Sequence, residues 1–246
     1  MTGTEALPRV LAGKKVLIVG VANENSIAWG CAEAMHRAGA EIAMTYLNER
    51  AKPHVEGLAQ RIAAPIFLPL EVRDAAQVEA VFAAVEQRWG RLDILVHSIA
   101  FAPKEALQGR VVDCPREGFL AAMDVSCWSF IDLARRAEPL MTDGGTMLTM
   151  SYLGANEVVE NYGIMGPVKA ALESAVRYVA TELGPKGIRV HALSPGPLAT
   201  RAASGIRDFD ELMARVATRA PARRLVTIEE VGGRPPFFSP ATTGRR

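Results

Sequence analysis

Short runs of apolar residues alternate along the chain with longer stretches in which apolar positions return every three or four residues. The runs Lys15–Val21, Glu41–Tyr46, Ile66–Leu70, Leu92–Ser98, Gly145–Ser151 and Ile188–Ser194 read as β-strands. Helical spacing covers Ile27–Ala38, Glu49–Arg61, Ala75–Trp89, Arg116–Pro139 and Met165–Leu183. Strands such as VLIVG and LDILVHS are apolar at consecutive positions, the pattern of strands covered on both faces of a parallel sheet. Regular strand-then-helix alternation predicts an α/β fold, a doubly wound parallel sheet with right-handed crossovers. No repeat, low-complexity tract or linker interrupts it, so residues 1–246 are expected to form a single domain. VTIEEVGG opens a last helix, with Thr227 and Glu230 in capping-box spacing. After it comes RPPFFSPATTGRR, in which Pro235, Pro236 and Pro240 exclude a regular helix or central strand. Residues 233–246 are therefore read as an atypical, unstructured tail.

Composition narrows the choice of partners. Lys and Arg number 28 against 27 Asp and Glu, for a net charge of +1, which offers nothing to a nucleic acid or an anionic membrane. Lys14 and Lys15 followed by VLIVGVA imitate the start of a signal peptide. The apolar run is only seven residues and leads into NENS and a helical pattern, so it is read as a buried strand. No run approaches the ~18 apolar residues of a membrane span. Cys31, Cys114 and Cys127 are scattered, as reduced core thiols of a cytoplasmic protein would be. The four histidines are equally scattered, and no metal is expected; His97, ending an apolar strand, is read as a hydrogen-bonded core residue.

Two stretches carry candidate chemistry. The turn after the first strand, GVANENSIAWG (Gly20 to Gly30), lacks the GxGxxG pattern but keeps its physics. Gly20 permits a tight turn, Ser26 is placed to cap the next helix, and Ala28 and Gly30 let helix and strand pack closely. The helix N-terminus would present N–H groups to a pyrophosphate; an ordinary capped β–α turn is the alternative. The second stretch, SYLGANEVVENYGIMGPVK (Ser151 to Lys169), holds Tyr152, Tyr162 and Lys169. Seven helical residues turn about 700°, so Tyr162 and Lys169 would share a face roughly 10 Å apart. A lysine four residues on would sit beside the phenol and assist its deprotonation. At seven it lies deeper, suited to gripping ribose hydroxyls.

Gly-x5-Ser-Ile-Ala-x-Gly resembles the cofactor loop of the bacterial enoyl-acyl-carrier-protein reductases, divergent members of the short-chain dehydrogenase/reductase superfamily. The likeness continues through HSIAFAP (97–103), SYLGA (151–155), NYGIMGPVKAALE (161–173), GPKGIRV and SPGPLATRAASGI (194–206), from about residue 11 to residue 232. It implies a Rossmann-type fold and hydride transfer from NADH to the β-carbon of a trans-2-enoyl thioester. NADPH stays open through Arg50, since no acidic residue immediately ends the second strand. By resemblance, Gly20, Ser26 and Ile27 hold the pyrophosphate side, Leu47 lies near the adenosine ribose, and Glu71 and Val72 flank the adenine. Ser98, Ile99 and Ala100 line the nicotinamide half, and Leu198 and Thr200 close over it. Glu71 is a mild departure, because the family commonly has Asp there.

The same resemblance makes Tyr162 the donor to the developing enolate oxygen, Lys169 the ribose-orienting residue and Tyr152 the second tyrosine beside the substrate. Ala102 would meet the thioester, and Phe101, Met165, Ala202, Ile206 and Phe209 would form an apolar sleeve for the acyl tail. Residues 200–209 read as a mobile lid. Arg201, Arg207, Arg215, Arg219, Arg223 and Arg224 are candidates to attract an acidic acyl carrier protein. Asp124 and Ser126 are placed at a subunit interface and the pocket floor, without chemistry. A homotetramer is implied, yet the family's usual seventh strand, G-x-x-x-x-V-D-G-G, is replaced here by the proline-rich tail. Six strands and weakened assembly are therefore expected. A ketoacyl reductase of the same superfamily, or a cofactor-binding protein with impaired turnover, are the competing readings.

Overall fold

A computed structural model describes residues 9–200, 205 and 208–233. Among these residues, six parallel strands form one sheet: β1 (Lys15–Val19), β2 (Glu41–Tyr46), β3 (Ile66–Pro69), β4 (Ile94–His97), β5 (Gly145–Met150) and β6 (Ile188–Leu193), in the order β3-β2-β1-β4-β5-β6. The consecutive apolar residues of β1 divide between two cores. Val16 and Ile18 face a cluster containing Trp29, Met35 and Leu58, from α1 (Ile27–Arg37) and α2 (Glu56–Arg61). Leu17 and Val19 face Phe82, Phe130 and Leu172, from α3 (Ala75–Trp89), α6 (Ser129–Ala137) and α7 (Met165–Leu183). This is the two-sided burial that continuous apolar strands require. The order in which strands are added reverses between β1 and β4, which run parallel with Val19 in register with His97.

The spans of α3 and α7 match the sequence reading, while several strands stop one or two residues early. Pro53 cannot donate a backbone hydrogen bond, so Glu49–Arg61 is a 3-10 turn at Lys52–His54 followed by α2 rather than one helix. Arg116–Pro139 is likewise interrupted. Helix α5 (Arg116–Met123) passes through a π segment at Asp124–Trp128 before α6, and Glu138–Leu140 forms a 3-10 turn. Short α4 (Lys104–Gln108) has no counterpart in the pattern analysis. Among the described residues, α8 (Phe209–Arg219) and α9 (Ile228–Gly233) complete the fold. At α9 the capping box forms as its spacing predicts: the Glu230 N–H donates to Thr227 Oγ1 at 3.2 Å, and the Thr227 N–H to Glu230 Oε2 at 3.0 Å. Beyond Gly233 the tail, with Phe237 and Phe238, lies outside the described residues.

Gly30 corrects the sequence reading. Its missing side chain serves helix–helix rather than helix–strand contact: a Cβ there would stand 2.5 Å from Ile228 Cγ2 and 2.7 Å from the Ile228 carbonyl oxygen. A Cβ at Gly232 would in turn overlap the Gly30 carbonyl. Helices α1 and α9 thus cross backbone to backbone. Gly30→Ala gains about 1 kcal/mol in helix propensity but forces this crossing apart, and overpacking typically costs about 1–3 kcal/mol. The expected net loss, up to about 2 kcal/mol, lowers the melting temperature by up to about 8 °C. A rise in melting temperature would mean that the crossing relaxes without cost.

Candidate active site

The site begins where β1 and β4 part. Gly20 has φ +105°, and a Cβ there would collide with the carbonyl of Ser98. Only glycine lets the two loops touch at this switch of strand order, the place where doubly wound sheets bind their ligands. Ser26 occupies the N-cap position of α1, but its hydroxyl does not cap the helix as expected. It donates instead to the Asn23 carbonyl at 2.6 Å and accepts from the Ala22 N–H at 3.4 Å, bracing the loop from inside. The N–H groups of Ile27 and Ala28 find no backbone acceptor among the described residues. A free helix start behind a braced loop fits a dinucleotide pyrophosphate.

The expected adenosine side lies along the ends of β2 and β3. Leu47 is 51% exposed, Val72 packs against the core, and the Glu71 carboxylate pairs with Arg73 at 3.1 Å. Arg73 holds the Glu71 carboxyl below the usual range. The acidic group that sequence does not place at the end of β2 arrives three residues later, where Glu49 Oε1 accepts the Tyr46 hydroxyl at 3.0 Å. Past β4, the Ser98 N–H donates to the Val19 carbonyl at 2.9 Å, and Ile99 packs against the core. The next residues are held by the π segment. Ser126 Oγ accepts the Phe101 N–H at 2.9 Å and donates to the Phe101 carbonyl at 3.0 Å. Sequence assigned Ser126 no chemistry; its work is to fix the backbone beside Ala100 and Ala102.

These loops open into a cleft of about 170 Å³. It collects Ile27, Ala100, Phe101, Ala102, Tyr152, Tyr162, Met165, Lys169, Leu198, Thr200 and Phe209, eleven residues anticipated from sequence. Leu107, Met150, Ser151, Pro195, Gly196 and Pro197 also line it and were missed. Ala202, Ile206, Arg201 and Arg207 lie outside the described residues. Of the other candidate carrier-binding arginines, Arg215 pairs with Glu160 at 3.0 Å and Arg224 with Glu230 at 2.6 Å, so both charges are already partnered.

Tyr162 is not helical, which corrects the two-turn geometry. Helix α7 starts at Met165, with Pro167 in its first turn, and Tyr162 precedes it between two left-handed residues, Asn161 (φ 61°) and Gly163 (φ 51°). A Cβ at Gly163 would overlap the Leu107 carbonyl, so the turn that aims Tyr162 depends on glycine. The Tyr162 ring is buried with its edge against Tyr152, the centroids 4.9 Å apart. Its hydroxyl has no hydrogen-bond partner among the described residues, while no buried side-chain polar atom is unpaired; the hydroxyl therefore opens to the cleft. Burial, reinforced by Tyr152, pushes the phenol well above its ordinary range and keeps it protonated.

Lys169 is 4% exposed, and its Nζ donates to the Met150 carbonyl at 2.5 Å, leaving two donors for the cleft. Burial lowers its pKa to about 8, against opposing pulls from Cys127 and Glu173. Beneath it His97 is the core residue anticipated, its ring nitrogens 2.8 Å from Thr149 Oγ1 and Ser129 Oγ. The Ser129 hydroxyl donates to the Val125 carbonyl at 2.7 Å, so Nε2 carries the histidine proton. Burial, then the charge of Lys169, lowers the His97 pKa to about 3 and excludes it from proton transfer near neutrality.

A doubly wound sheet, a helix start free at its switch point, and a tyrosine–lysine pair in the adjoining cleft define a nucleotide-dependent reductase of the short-chain dehydrogenase/reductase kind. Comparison with known proteins narrows this. The family model described as enoyl-(acyl carrier protein) reductase matches residues 20–238, and the chain belongs to that family. It is 48% identical to enoyl-[acyl-carrier-protein] reductase [NADH] 1 of Rhizobium meliloti over 91% of this chain and 82% of that protein. It is 46% identical to the Salmonella typhimurium enoyl-[acyl-carrier-protein] reductase [NADH] FabI over 93% and 87%. The crystal structure of the Anaplasma phagocytophilum enzyme in complex with NAD superimposes with a TM-score of 0.88 at 46% identity, covering 92% of this chain and 86% of that one.

The lowered pKa of Lys169 has a measurable consequence. Between pH 8 and 10.5 the unfolded chain carries a proton on this amine that the folded chain lacks, so the residue's contribution to stability rises with pH. The melting-temperature difference between the parent and Lys169→Met should therefore shift in favour of the parent across that window. A constant difference would mean that the amine titrates at its ordinary value.

Proposed function

We propose that this cleft reduces the trans-2 double bond of enoyl thioesters, the final step of fatty-acid elongation, with Tyr162 donating a hydrogen bond to the thioester oxygen as negative charge develops there. The observation that carries the reading is the Tyr162 hydroxyl, without a hydrogen-bond partner among the described residues and opening from a buried ring into a largely apolar cleft. The chain is an NADH-dependent enoyl-acyl-carrier-protein reductase, as its relatives are named. When bound, the reduced nicotinamide supplies the hydride. Ile27 and Ala28 offer backbone donors to the pyrophosphate, and Lys169 offers two N–H groups to ribose hydroxyls. The apolar walls, Phe101, Met165 and Phe209 among them, exclude water and take the acyl tail at ~0.8 kcal/mol per buried methylene.

The phenol chemistry favours this reaction over carbonyl reduction. A phenol held above its usual pKa, with a lysine that bonds to Met150 rather than to it, serves as a donor and not as a base. Tyr162→Phe should lower kcat with a crotonyl thioester by ~10²–10³ while NADH affinity in a fluorescence titration stays near that of the parent. Turnover close to the parent's would move the role to Tyr152.

The finer reading is of a cytoplasmic homo-oligomer that receives its acyl chains on acyl carrier protein. Its support is the three unpaired thiols and four exposed apolar side chains: Phe119 and Leu120 on α5, Trp128 in the π segment and Tyr178 on α7. Trp128→Glu should yield a smaller particle in size-exclusion chromatography; an unchanged elution volume would count against assembly through this face.

A further inference from the structure

The strand end that carries the site is held by α7 at two points one helical turn apart. Lys169 takes the Met150 carbonyl. Glu173, half-buried and four residues later, takes the chain just past the strand. Its Oε1 accepts the Ser151 hydroxyl at 2.5 Å, and its Oε2 accepts from Asn156 Nδ2 at 3.1 Å. One carboxylate thus ties both ends of the segment Ser151–Asn156, whose middle is a 3-10 turn at Leu153–Ala155.

That segment is what the Tyr162 ring rests on. A Cβ on Gly154 would come within 2.7 Å of Tyr162 Cε1, so the ring lies directly on this backbone. Tyr152, on the same segment, meets the ring at 61°. Two surfaces that fix the ring therefore belong to one short stretch, and both ends of that stretch hang on Glu173. We propose that Glu173 is a positioning residue for enoyl reduction: by clamping residues 151–156 it sets where the Tyr162 hydroxyl stands in the cleft. The inference rests on the reading of Tyr162 as the donor. It concerns kcat more than cofactor binding, because the Lys169–Met150 bond does not pass through the carboxylate, whose charge is the smallest of the influences on the Lys169 amine.

A double-mutant cycle separates positioning from mere support of the fold. Glu173→Ala should lower kcat with a crotonyl thioester by about tenfold, the scale expected when a hydrogen-bond donor is misplaced by a fraction of an ångström. NADH affinity by fluorescence titration should change by less than about twofold, since no proposed cofactor contact is lost. In a Tyr162→Phe background, where no hydroxyl is left to aim, the same substitution should change kcat by less than about twofold. Asn156→Ala, at an exposed position that does not threaten folding, removes only the outer tie and should cost about twofold to threefold with the same dependence on Tyr162. Glu173→Gln, whose amide oxygen still accepts the Ser151 hydroxyl, should recover most of the loss. Parent-like kcat in both Glu173→Ala and Asn156→Ala, or losses as large without the Tyr162 hydroxyl as with it, overturns the proposal. Normal turnover by Tyr162→Phe alone would instead count against the donor assignment.

Discussion

Everything in the site is referred to one contact, the crossing of Gly20 over the Ser98 carbonyl. It brings the loops after β1 and β4 together where the sheet changes direction, and no side chain fits between them. From there the free start of α1 faces one way along the crevice, while the Ser98–Ala102 loop runs the other way into the cleft. The Ser126–Phe101 pair then holds that loop, and the bond from Lys169 to Met150 holds the next strand end beside it. Rigid parallel strands deliver these loops, and short hydrogen bonds at the strand tips set their final positions.

The apolar surroundings of the cleft act on its two titrating groups in opposite chemical directions but to one end. Burial lifts the Tyr162 phenol so that it keeps its proton, and lowers the Lys169 amine so that its charge is held lightly. The histidine below is kept neutral by burial as well. Within reach of the cleft, donors are plentiful and bases scarce, which suits stabilisation of a developing oxyanion better than removal of a proton from an alcohol.

Much of this was legible in the sequence because parallel sheets write themselves as continuous apolar runs. The six strands, the spans of α3 and α7, and the collinear motifs that gather eleven cleft residues all come from local pattern and resemblance. The failures have local physical causes. Pro53 broke a helix that periodicity would have continued. The π segment at Asp124–Trp128 leaves the apolar spacing of its helix nearly unchanged and so was invisible, though it positions Ser126. Ser26 looked like a cap, but its hydroxyl had a nearer carbonyl. Tyr162 and Lys169 looked helical because Met165 onward is, and the left-handed residues around Tyr162 carry no periodic signal. Ser151 and Glu173 meet only in three dimensions.

The crossing of α1 and α9 joins opposite ends of the chain. During synthesis β1 emerges long before its neighbour β4, with Val16 finally pairing alongside Ile94. Helix α1 waits longer still, with the bare backbone at Gly30 uncovered until Ile228 arrives. A nascent chain must therefore carry an unfinished sheet edge until β4 is made and an uncovered face of α1 until α9 is made, and contacts so distant in sequence form slowly. Helix α1 reaches its final packing only once α9 has been made, so ribosome-bound fragments ending before α9 would still lack the Gly30–Ile228 contact that sets it.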